Sequence, residues 1–149
     1  MNAVQREAIV NRLHLAVTLL ALWLVLTSPW VSMLRRVPAS AGFLDYAHVA
    51  LGWLAFVLGL AYAAVLMRGG CWKQYVPGTA AGIGGVIEGL LLVAIVATGA
   101  TGATWFLVHG SSDAITWRGW HILSARALVV LGVAHMLAVA SHLLDFVRD

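Results

Sequence analysis

Apolar residues run through this chain in four long blocks, at about 13–34, 43–67, 82–108 and 120–144, separated by short stretches where Arg, Lys, Asp, Ser, Pro and Gly collect. Each block has the roughly 20 residues that a helix needs to cross a bilayer core of about 30 Å. The pattern predicts an all-α integral membrane protein, a four-helix transmembrane bundle forming a single domain over 1–149. The polar intervals are too short to hold a domain in water, so any extensive aqueous chemistry must belong to a partner.

Composition agrees. The 149 residues are 62% hydrophobic and 10% charged, with a mean hydropathy of +0.92, against about 45–50% and 25% for soluble domains. The formal charge of +3 comes from nine Lys and Arg residues scattered around the four blocks. They form no basic patch, so nucleic acid is not expected as a partner. Their distribution reads as topology instead. Arg6, Arg12, Arg68, Lys73 and Arg148 fall on the side that holds both termini, and Arg35, Arg36 and Arg118 on the other. By the positive-inside rule the termini are cytoplasmic.

The single cysteine, Cys71, permits no internal disulfide, and no Cys-x-x-Cys-His run offers covalent haem attachment. Ala39-Ser40-Ala41 resembles a signal-peptide cleavage site. The apolar run before it is longer than a signal h-region, and Arg35-Arg36 intervene, so the first block is expected to remain a span. Pro29 is expected to kink its last turn. Trp72 and Tyr75 suit one membrane interface. Trp105, Trp117 and Trp120 are expected to form a belt at the other. The third block is rich in glycine, which favours close helix packing.

Histidine carries the candidate chemistry. His121, His135 and His142 lie on the fourth block. At about 100° per residue, the step from His121 to His135 falls ~40° short of four turns and that to His142 ~20° short of two, so all three share one stripe. His121 and His135 are separated by about 21 Å along the axis, enough to place one near each face of the apolar core. His48 opens the second helix from the outer side and His14 opens the first from the cytoplasmic side. Depth then pairs His48 with His121 and His14 with His135.

Zinc commonly takes four ligands, often including Cys or carboxylate, and neither accompanies these pairs at matching depth. Two stacked b haems need only axial ligands and apolar walls, which helix bundles supply. Gly52, one turn beyond His48, either leaves room for a flat cofactor or serves helix packing. His142 competes with His135 for His14, but its distance from His121 would equal the whole apolar core, about 31 Å. It is expected to border a cytoplasmic-side pocket.

Other polar residues fall near these levels. Glu88, about two turns into the third span, is a candidate for proton exchange with a quinone or for a hydrogen bond to a neighbouring helix. Arg126, within the fourth block, is expected to pair with a haem propionate of the outer site, with snorkelling as the alternative. His109 and Arg118 bound the last loop, 109–119, where they would steer propionates or an anionic donor, or simply be solvated.

With His14 opening the first helix, His48-Val49-Ala50-Leu51-Gly52 opening the second and the H-x13-H-x6-H series on the fourth, the chain resembles the bacterial cytochrome b561-type proteins. It is similar also to the di-haem cytochrome b subunits that anchor formate dehydrogenases and nickel–iron hydrogenases. The resemblance covers essentially the whole chain, although the third helix matches only in its small residues. It implies two haem b groups, on His48 with His121 and on His14 with His135, in a bacterial inner membrane. It also implies electron transfer between a donor or dehydrogenase subunit and membrane quinone, acting alone or as one component of an oxidoreductase. The long extension by which the anchor subunits grip a dehydrogenase is missing. A haem-free structural or assembly subunit is the alternative, and a small proton or solute transporter the third reading.

Overall fold

The computed structural model describes residues 3–31, 42–68 and 82–148. Four helices account for almost all of them: α1 (Ala3–Thr27), α2 (Phe43–Arg68), α3 (Gly82–Leu107) and α4 (Ala114–Arg148). All four are long and apolar enough to cross a membrane, and the described residues contain no strand. Large apolar side chains such as Leu22, Val57, Val93 and Val130 are exposed on every helix. A lipid environment accepts that surface, and water would not.

Two boundaries differ from the sequence reading. α1 begins at Ala3 rather than near residue 13, so His14 lies about three turns inside a helix rather than at its mouth. The cause is the polar series Arg6, Glu7 and Arg12, which hydropathy reads as a tail although all three are good helix formers. α4 begins at Ala114 rather than near residue 120, which puts Trp117 and Arg118 on the helix and shortens the loop. At 35 residues, about 52 Å, α4 is longer than the apolar core is thick.

The ends of the helices are stabilised locally. Pro29 does not kink α1; it lies in a 3-10 turn, Ser28–Trp30, that terminates it. Pro29 has no N–H to give to the carbonyl four residues back, and the Ser28 hydroxyl donates to that carbonyl, Val25 O, at 2.8 Å. Thr27 donates likewise to Trp23 O at 2.8 Å. At the start of α2, the buried Asp45 carboxylate accepts the Gly42 N–H at 2.9 Å, the reach-back half of a capping box. That bond fixes the first turn from which His48 projects. α3 turns into α4 through Gly110, whose φ of +88° only glycine adopts freely.

The helices pack in chain order, α1 on α2, α2 on α3 and, most extensively, α3 on α4. Among the described residues, α1 and α4 make few close backbone approaches. Their separation leaves room along the bundle axis.

The segments 32–41 and 69–81 lie outside the described residues, and with them Arg35, Arg36, the Ala39-Ser40-Ala41 site, Cys71, Trp72, Lys73 and Tyr75. The side chain of His142 lies outside them too, although its backbone belongs to α4.

Candidate functional site

The four helices bring the histidines together in the two expected pairs. His48 of α2 faces His121 of α4 with ring centroids 6.3 Å apart and planes at 89°. His14 of α1 faces His135 of α4 with centroids also 6.3 Å apart and planes at 58°. Because His121 and His135 share one stripe of α4, the pairs form two levels along the bundle, termed outer and inner after the orientation expected from the sequence.

Around the outer pair is a cavity of about 630 Å³ walled by all four helices, within the range of sites that hold small molecules and cofactors. His48, His121, Gly52 and Arg126 line it, and so do His109 and Arg118 at its outer end. A methyl group built on Gly52 would meet nothing within 4 Å. Of the two roles considered for Gly52, helix packing therefore falls away, and open space beside His48 remains.

On the α3 side the wall is shaped for the ring of His121. A methyl group on Gly102 would lie 2.9 Å from both Cε1 and Nδ1 of His121, so only glycine leaves that ring its position. Trp105, one turn on along α3, stands beside the same imidazole with centroids 5.9 Å apart, and lines the cavity rather than contributing only to an interfacial belt. Nδ1 of His121 donates to Thr98 O at 3.0 Å. A carbonyl only accepts, so the proton is on Nδ1 and Nε2 keeps its lone pair.

The inner pair is open at the side. The His14 side chain is 40% exposed, and a small open cleft beside it, about 20 Å³, touches His14, Tyr62 and Glu88. Tyr62 was not apparent from the sequence. Its hydroxyl lies 3.4 Å from His14 Nδ1 and donates to Glu88 Oε1 at 3.2 Å. Glu88 thus reaches the inner level through a hydrogen bond to a neighbouring helix, so a carboxylate does accompany the His14–His135 pair, contrary to the expectation that none lies at its depth.

At both levels one histidine is tethered through Nδ1, whereas the Nδ1 atoms of its partners, His48 and His135, are buried without a hydrogen bond. The described residues contain no group of three or more His, Cys, Asp or Glu side chains arranged for a metal. What they offer are two-imidazole sites. No protein-family model, curated protein or solved structure matches the chain.

Proposed function

We propose that the chain is a di-haem b-type membrane cytochrome that carries electrons across the bilayer between a donor or partner subunit and membrane quinone. The observation that supports this reading is the separation of the paired imidazoles. A metal–imidazole bond is about 2.0 Å and a five-membered ring with ~1.35 Å bonds has a radius of about 1.15 Å. Two imidazoles on opposite sides of one metal therefore have centroids about 6.3 Å apart. Both histidine pairs stand at 6.3 Å. The angle between the planes is set by what holds each ring, such as the bond from His121 Nδ1 to Thr98 O, and does not alter this separation.

Two protein ligands per site suit an iron whose other four positions are filled by a macrocycle. When bound, the haems supply one-electron redox chemistry, and the chain supplies everything around it. His48 and His121 hold the outer group and His14 and His135 the inner one. The cavity beside Gly52 and Gly102 gives the outer macrocycle its space, and Arg126 offers a guanidinium to a propionate. Apolar helices exclude water and keep the two levels at a fixed spacing. Glu88 and His142, on the cytoplasmic side by the positive-inside rule, mark where quinone would be met. The bacterial inner membrane is the location that the resemblance to the cytochrome b561-type proteins favours.

The test is a reduced-minus-oxidised visible spectrum of purified protein with haem quantified per chain. Wild type is expected to hold two b haems, and His14→Ala, His48→Ala, His121→Ala and His135→Ala one each, while His142→Ala keeps both. Colourless wild type, after expression with haem available, overturns the reading and leaves a haem-free structural or assembly subunit.

A further inference from the structure

The inner level contains a side chain that the proposed ligation does not use. Tyr62 lies on α2, fourteen residues after His48, which is ~40° short of four turns and therefore on the same stripe about 21 Å deeper. Only 5% of it is exposed. Its ring stands edge-on to His14 at 6.0 Å and 69°, and its hydroxyl touches both His14 Nδ1 and Glu88 Oε1. Nδ1 of His14 is 3.8 Å from Glu88 Oε1, too far for a direct hydrogen bond. Glu88 reaches the imidazole by way of the phenol.

With Glu88 ionised, proton counting sets the direction of this chain. A phenol has one hydrogen, and Tyr62 gives it to Glu88. Its oxygen is left to accept, so His14 carries its hydrogen on Nδ1 and presents a bare lone pair at Nε2. The outer level reaches the same tautomer differently, through the peptide carbonyl of Thr98. A histidine ligand that donates its second N–H is oriented by that bond and becomes a more basic donor to the metal.

We propose that Tyr62 is a positioning residue of the inner site: its hydroxyl fixes the orientation and tautomer of His14, and through it Glu88 acts on the iron that His14 binds. This inference rests on the di-haem reading above. A more basic axial imidazole stabilises ferric over ferrous iron. Loss of the Tyr62 hydroxyl therefore raises the midpoint potential of the inner haem and leaves the outer haem unchanged.

The experiment is a potentiometric titration of wild type, Tyr62→Phe, Glu88→Ala and the double variant, with each haem's ferric EPR signal recorded. His14→Ala and His48→Ala identify which component belongs to which level. Tyr62→Phe is expected to retain two haems, to raise the inner ferrous-to-ferric ratio at fixed potential by roughly tenfold, about 59 mV, and to shift the inner EPR signal alone. Glu88→Ala shifts the inner potential in the same direction, and the double variant goes no further than Tyr62→Phe. If Tyr62→Phe loses the inner haem or does not accumulate, Glu88→Ala decides, because it keeps the Tyr62 ring in place. Unmoved inner values in two-haem protein, or shifts that add in the double variant, overturn this inference alone. A colourless wild type overturns the cytochrome reading and this inference with it.

Discussion

Gly102 of α3 and His121 of α4 are in such close approach that a methyl group on the glycine would lie 2.9 Å from the imidazole. Thr98, Gly102 and Trp105 all belong to α3, and the ring is held against that helix by the bond from Nδ1 to Thr98 O. Gly102→Ala is therefore expected to displace His121 and break that hydrogen bond, at a cost of about 1–3 kcal/mol. On the proposed di-haem reading, haem quantification should show the outer haem lost or converted to a weaker form while the inner one remains. Two intact haems with wild-type spectra would mean that Gly102 does not seat the ligand.

Gly99 lies one turn earlier on the same helix and gives the control. A methyl group there would come within 2.6 Å of the Phe56 ring and 2.7 Å of its Cβ, which makes it a contact between α2 and α3 and not with a histidine. Gly99→Ala is expected to lower thermal stability in detergent, by about 1–3 kcal/mol. Gly99 and Phe56 both line the outer cavity, so any protein that survives should lose haem, if at all, from the outer level, with the bond from His121 Nδ1 to Thr98 O kept. Loss of the inner haem instead would show that this contact does not act on the outer wall.

That contrast shows how far the sequence can be read. Four spans and the pairing of His14 with His135 and His48 with His121 follow from hydropathy and helical pitch, because both are set by the backbone and a lipid solvent. One interval recurs: fourteen residues separate His48 from Tyr62, Glu88 from Gly102 and His121 from His135. Each of these helices therefore contributes one residue to each level. Applied to α2 and α3, the same count would have pointed to Tyr62 and Gly102. Which glycine faces Phe56, which faces His121 and which opens on empty space cannot be counted, because that depends on how the neighbouring helices are rotated. The start of α1 was misjudged for another reason: Arg6, Glu7 and Arg12 are polar enough to end an apolar run without ending a helix.

Gly52 tests the size of the outer cavity without touching a ligand. Nothing lies within 4 Å of a methyl group built there, so Gly52→Ala is expected to fold at least as stably as wild type, since alanine favours the helix by about 1 kcal/mol. Gly52→Leu places a larger apolar group into the cavity beside His48. It should reduce outer haem content while stability stays near that of wild type. Equal haem content in Gly52→Leu and wild type would mean that the macrocycle does not occupy this wall.

Arg126 distinguishes a cation that serves the cavity from one that only reaches for the membrane surface. It lines the outer cavity although much of it is exposed, and a guanidinium in that position can hold a propionate through two parallel hydrogen bonds. Hydrogen bonds to charged groups contribute about 1.5–3 kcal/mol. Arg126→Leu should therefore speed loss of the outer haem to an apo-haemoprotein scavenger by roughly tenfold to a hundredfold. It should also lower that haem's midpoint potential, since an uncompensated propionate favours ferric iron. Arg126→Lys keeps the charge but not the fork, and should retain most of the potential while giving up part of the affinity. If Arg126→Leu leaves both quantities unchanged, the side chain snorkels, and His109 and Arg118 at the outer end of the cavity become the residues to test for the propionates.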